Sequence, residues 1–155
     1  MKAFCLAIVL VVSMGARDAS PPPAVVNVVA VHATNENRSQ RHVDPAVEKV
    51  RSSISDIAEF DTFRPITDET VSAPFAQNTR VVLTPKYALF ITPLGTGPRG
   101  QVRFSIVVQQ PPKAGQSEPV NAISTTVLMP PDKPFRLRGL RWQGGELVVI
   151  VTLRR

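Results

Sequence analysis

Apolar positions first appear in the chain as a nearly unbroken run. Val25 to Ala33 (VVNVVAVHA) is β-branched and apolar almost throughout, which predicts a strand buried on both faces and therefore central in its sheet. Thr34 to Val43 is polar and has no period, so it reads as a loop. Asp44 and Pro45 follow, a capping carboxylate and a proline suited to the first helical position. Val47, Val50, Ile54, Ile57 and Ala58 then recur at steps of three and four, with Glu48, Ser52, Ser55 and Glu59 opposite. That spacing predicts an amphipathic helix of about four turns, ending near Phe60.

Beyond Phe60 the periods shorten to those of strands. A strand is expected from Phe63, and if it lay parallel to the first, the crossover through the helix would be right-handed. Arg80 to Thr84 and Tyr87 to Thr92 flank Pro85 and Lys86, where proline presets a tight turn. Gln101 to Gln109 alternates, with Val102, Phe104, Ile106 and Val108 on one face. Val120 to Met129 lies between Pro111-Pro112 and Pro130-Pro131, and Phe135 to Trp142 is set to pair with Glu146 to Leu153 across Gln143-Gly144-Gly145. This order predicts a mostly β (α+β) chain: an antiparallel β-sandwich of about seven strands, with one amphipathic helix after the first strand.

The beginning of the chain changes where that domain is expected to work. Lys2, the apolar run Ala3 to Val12 and the small residues Ser13, Gly15 and Ala16 predict a signal peptide over residues 1–15. Ten apolar residues span about 15 Å of a bilayer core of about 30 Å, so no transmembrane anchor is expected after cleavage. Residues 16–24, with Pro21-Pro22-Pro23, read as a stiff spacer, and 25–155 as a single domain. The sole cysteine, Cys5, lies in the leader. A mature chain without it has no disulfide, thiolate nucleophile or cysteine-ligated metal. Export without disulfides points to a bacterial protein, periplasmic or extracellular.

Several of these positions form a familiar set: Ala30-Val31-His32-Ala33, Val43-Asp44-Pro45-Ala46-Val47, Phe60, Phe63-Arg64, Leu89, Pro93 and Gly145-Glu146-Leu147-Val148-Val149. The pattern resembles an uncharacterised family of small exported bacterial proteins of unknown function. Its motifs are hydrophobic and turn positions, so the resemblance implies a fold and no substrate, cofactor or catalytic residue.

Candidate chemistry is sparse. Gly95-Thr96-Gly97-Pro98-Arg99-Gly100 carries the letters of a dinucleotide fingerprint, but the next segment has strand period, so a hairpin loop is expected. His32 and His42 are the only imidazoles, and with Glu36 or Asp44 they are the set from which a zinc site or a small hydrolase would have to be drawn. No Gly-x-Ser-x-Gly elbow occurs. Asp56, Glu59, Asp61, Asp68 and Glu69 offer carboxylate pairs, and read more simply as a solvated helix face and turn.

Charge gives the one asymmetry. Residues 20–69 hold five Lys/Arg against eight acids, net −3, while residues 70–155 hold eleven against three, net +8. Arg136 and Arg138 alternate along one segment, and a bulge at Gly139 would bring Arg141 onto their face, with Trp142 beside it. Such a row suits anionic groups, or else keeps an outer hairpin face solvated. The expected function is a non-enzymatic exported module of the bacterial envelope that binds or assembles with a protein partner. The alternatives are a binder of anionic polysaccharide or lipid headgroups through Arg136, Arg138, Arg141 and Trp142, and a small hydrolase using His32 or His42. No metal, cofactor or nucleic-acid partner is expected.

Overall fold

The first strand, β1 (Ala24–Thr34), is apolar on both sides: Val26, Val28 and Ala30 on one face and Val29, Val31 and Ala33 on the other are at most 1% exposed. The computed structural model describes residues 20–155, so the leader expected over 1–15 lies outside the described residues. Pro21 to Pro23 of the spacer are exposed and lead directly into β1. Two covered faces place β1 at the centre of a five-stranded sheet. Its order is β2-β3-β1-β9-β8, with β2 at His42–Val43, β3 at Thr62–Ala73, β8 at Pro134–Trp142 and β9 at Gly145–Arg154.

A second sheet is a simple antiparallel meander of β4 (Thr79–Val82), β5 (Ala88–Thr96), β6 (Val102–Gln110) and β7 (Val120–Met129). The two sheets enclose the main core, where Leu89, Ile91, Phe104 and Ile106 meet Val26, Val28, Leu147 and Val149. On the other face of the five-stranded sheet, Val47, Val50, Ile54 and Ile57 cover Val29, Val31, Phe63, Val148 and Ile150. The chain is thus a β-sandwich with a helical segment over one face, and each aliphatic so buried contributes roughly 1.5 to 3 kcal/mol.

β3 runs antiparallel to β1, from Thr62 opposite Thr34 to Ala73 opposite Ala24. The condition for a right-handed crossover therefore does not arise. A parallel return would have to retrace the eleven residues of β1, about 36 Å at 3.3 Å per residue. The helical segment is too short for that. It consists of a 3₁₀ stretch, Pro45–Val50, and a single α-turn, α1 (Arg51–Ile54). These rise only about 18 Å together.

The expected four-turn helix is thus replaced by tighter, shorter structure over the same buried positions. Asp44 accepts from the Ala46 amide at 2.8 Å, with Pro45 following, as the sequence suggests. Val47 and Val50 are three apart, a step that a 3₁₀ turn stacks on one side. Ser52, Ser53 and Ser55 compete for backbone groups, and Ser55 Oγ donates to the Ser52 carbonyl at 3.2 Å. Arg41 ends the segment. Its guanidinium donates to the carbonyls of Ile54, Ser55 and Ile57 and stacks 4.3 Å from the Phe63 ring centroid.

Candidate functional site

The last hairpin carries the residues singled out by charge. In β8, Leu137 pairs with Val149 and Leu140 with Leu147, so Arg138 and Gly139 together oppose Val148. Gly139 has φ of +90°, a left-handed conformation that suits glycine. This bulge puts Arg136, Arg138 and Arg141 on one face, the face under the helical segment.

Two of the three are engaged there. Arg136 binds Asp56 through both nitrogens, at 2.5 and 2.9 Å, and donates to the Ser53 carbonyl. Arg138 makes a two-pronged bond with Glu146 at 2.9 and 3.0 Å and reaches Glu59 at 3.4 Å. Glu146 also accepts the Gly139 amide at 2.8 Å. The Arg138 guanidinium, helped by that amide, holds the Glu146 carboxyl below the usual glutamate range against the opposing effect of burial. Arg136 does the same for Asp56. Arg141 remains exposed and has no acidic partner among the described residues.

Arg141 and Trp142 form the end of β8, and that end is fixed from two directions. Gln143 and Gly144, with φ of +42° and +76°, make the two-residue turn into β9. Gly145 lies so close to β1 that a Cβ there would fall 2.2 Å from the Ala33 carbonyl oxygen. His32 Nε2 donates to the Trp142 carbonyl at 3.0 Å, and the Tyr87 hydroxyl donates to the Arg141 carbonyl at 3.0 Å. Thr67 of β3 holds the Val82 and Leu83 carbonyls of the β4–β5 hairpin, whose turn then reaches Arg141. That hairpin thus crosses the end of the five-stranded sheet from β3 to β8.

The crossing leaves an open cleft of about 740 Å³, lined by Phe60, Lys86, Arg141, Trp142, Gln143 and Glu146 with the intervening glycines. Phe60 and Trp142 are half-buried, Lys86 and Arg141 exposed. Near it, Trp142 Nε1 and Thr34 Oγ1 are buried with no hydrogen-bond partner. Each such group costs about 1 to 3 kcal/mol, and groups of this kind gather where a fold serves something besides stability. Lys86, Tyr87 and Phe60 carried no sequence signal for this place; only the crossing of the hairpin brings them to β8.

The other candidates are dispersed. His32 is tied to a carbonyl, which only accepts, so the nitrogen meeting it bears the hydrogen. His42 sits exposed in β2, opposite Thr62 of β3. Among the described residues no three His, Cys, Asp or Glu side chains gather as a metal would require. Asp61 organises the 34–38 loop, accepting from the amides of Glu36 and Arg38 at 2.9 and 2.8 Å. Asp68 pairs with Lys49 and Asn27. The segment from Gly95 to Gly100 links β5 to antiparallel β6 and opens no helix that would receive a pyrophosphate. No helix among the described residues is long and apolar enough to cross a membrane.

The sheet edges differ sharply. β8 is interrupted by its bulge, β4 has four residues, and β3, which the short β2 covers only at Thr62 and Phe63, carries Pro65, Asp68 and Glu69 along the rest of its edge. All are ways to discourage pairing with a foreign strand. β7 has none of them beyond one irregularity near its start: VNAISTTVLM holds no charge and no proline, and bonds only to β6. Ser124, Thr126 and Leu128 are exposed on its outer side. No protein-family model, curated protein or solved structure matches this sequence.

Proposed function

We propose that this protein is a non-enzymatic, exported binding module of the bacterial envelope, which meets a protein partner by adding the partner's strand to β7. The observation that carries the reading is the contrast among edges. Three are short, bent or charged, and the fourth is ten residues of neutral, β-forming sequence. Edge addition draws affinity from main-chain bonds and selectivity from alternate side chains, here the outward Ser124, Thr126 and Leu128. A leader-like start and a cysteine-free mature sequence support the envelope as the place of work. A non-enzymatic role is supported by the dispersed histidines, one of them committed to a backbone carbonyl.

The test places a photo-crosslinking residue at Leu128, exposed on the same strand, and exposes the protein to envelope extract. A single stoichiometric protein should be captured, and Ser124→Lys with Thr126→Lys should abolish capture while leaving the melting temperature within a few degrees. Equal capture by the lysine variant, or crosslinks scattered over many proteins, would refute edge pairing.

A further inference from the structure

We propose that the cleft at the β8–β9 tip binds an acidic saccharide, its carboxylate held by Arg141 and Lys86 and its ring laid against Trp142. The proposal stands apart from strand addition at β7 and does not depend on it. The charge in the cleft is uncommitted: Arg136 and Arg138 are neutralised by Asp56, Glu59 and Glu146, whereas Arg141 and Lys86 have no acidic partner among the described residues. Lys86 Nζ lies 3.5 Å from the Arg141 carbonyl, and both residues line the cleft. Glu146 also lines the cleft, but its bonds to Arg138 and the Gly139 amide occupy and offset its charge. An anion entering beside it meets net attraction.

The walls narrow the class of anion. Phe60 and Trp142 are the aromatic surfaces, Gln143 supplies an amide that both donates and accepts, and glycine backbone at positions 139, 144 and 145 allows close approach. That combination suits a flat, hydroxyl-rich ring bearing one charge. A strand-like acidic peptide fits less well, because the Gly139 bulge breaks the β8 ladder here and the Arg141 and Trp142 carbonyls are already bonded. Lipid acyl chains would need a broad apolar skirt, and the rim is Lys86, Arg141 and Gln143. At about 740 Å³ the cleft falls within the range of about 300 to 1,000 Å³ typical of small-ligand sites. Clamping by His32, Tyr87 and the close contact at Gly145 holds it preformed, which limits the entropy lost on binding.

Trp142 is the only tryptophan, so its emission reports on this cleft alone. Calorimetry and Trp142 fluorescence should show saturable binding of trigalacturonate and none of neutral maltotriose. The Lys86→Ser, Arg141→Ser double variant should weaken binding about tenfold or more. Raising salt from about 0.1 to 1 M should weaken it in the parent protein as well. Should the double variant lose its melting transition, Lys86→Ser or Arg141→Gln alone gives the same comparison at one exposed side chain. Absence of saturable binding, equal affinity for maltotriose, or a folded variant binding as well as the parent overturns the proposal. Tighter binding of triglutamate, or of phosphatidylglycerol vesicles, overturns it in favour of a peptide or a lipid surface.

Discussion

Gly139 and Gly145 lie six residues apart in one hairpin and act through different physics. Gly139 supplies a left-handed φ with open space around it, whereas Gly145 supplies room, since its missing Cβ would overlap the Ala33 carbonyl. Gly145→Ala must therefore push β9 away from β1, at a cost of about 1 to 3 kcal/mol, and thermal unfolding should show a clear drop in midpoint. Glu146, next to Gly145 and bonded to the Gly139 amide, carries a pH dependence. Its carboxyl is held below its ordinary 4.5 by Arg138 first and the Gly139 amide after it. A depressed folded-state value contributes stability that is complete above 4.5 and is lost as pH falls through the folded value. Glu146→Gln should thus melt at a lower temperature than the parent at pH 7, with the gap closing at strongly acid pH. A gap that is unchanged or widens on acidification would show that the carboxylate is not linked to folding.

Among the elements, strands that bury one or both faces were legible because their periods are dictated by pleating alone. β1, β6 and β7 follow the expected segments within a residue or two, and the Gly139 bulge, the condition for a shared face of the three arginines, is present. The segment after Asp44 was legible in which residues it buries and not in how it winds. Steps of three and four suit either winding, and what decides is Arg41, thirteen residues before the Ile54 carbonyl it caps. The two-residue β2 has no period and is set wholly by its pairing with β3. Likewise, nothing in the sequence links Lys86 and Tyr87 to Arg141; that contact follows from the crossing of the sheets. Arg41→Ala should loosen the segment without unfolding the sandwich. Amides from Val47 to Ile57 should exchange about tenfold faster or more, while those of β6 hold their protection. Uniform loss of protection would instead make Arg41 part of the global core.

Across the whole molecule, the charge asymmetry of the sequence becomes partly internal. Acidic Asp56 and Glu59 from the first half meet Arg136 and Arg138 from the second, so the fold offsets much of the arginine row that the sequence alone presents as a free surface. What stays free is displaced toward the tip, at Arg141 and Lys86. The same scale joins the first strand to the last, with Val25 opposite Arg154 and Ala33 opposite Glu146. A chain ending at Gly144 should therefore show no cooperative melting, because β1 would lose the neighbour that covers one whole edge and β8 would lose its attachment. Cooperative unfolding of that shortened chain would mean the meander and β3 suffice. The order of synthesis gives this pairing a further meaning. A ribosome makes β1 first and its second neighbour last, and contacts so distant in sequence form slowly. The five-stranded sheet cannot complete its pairing until β9 has been made, so β1 keeps one edge open while every intervening strand is synthesised.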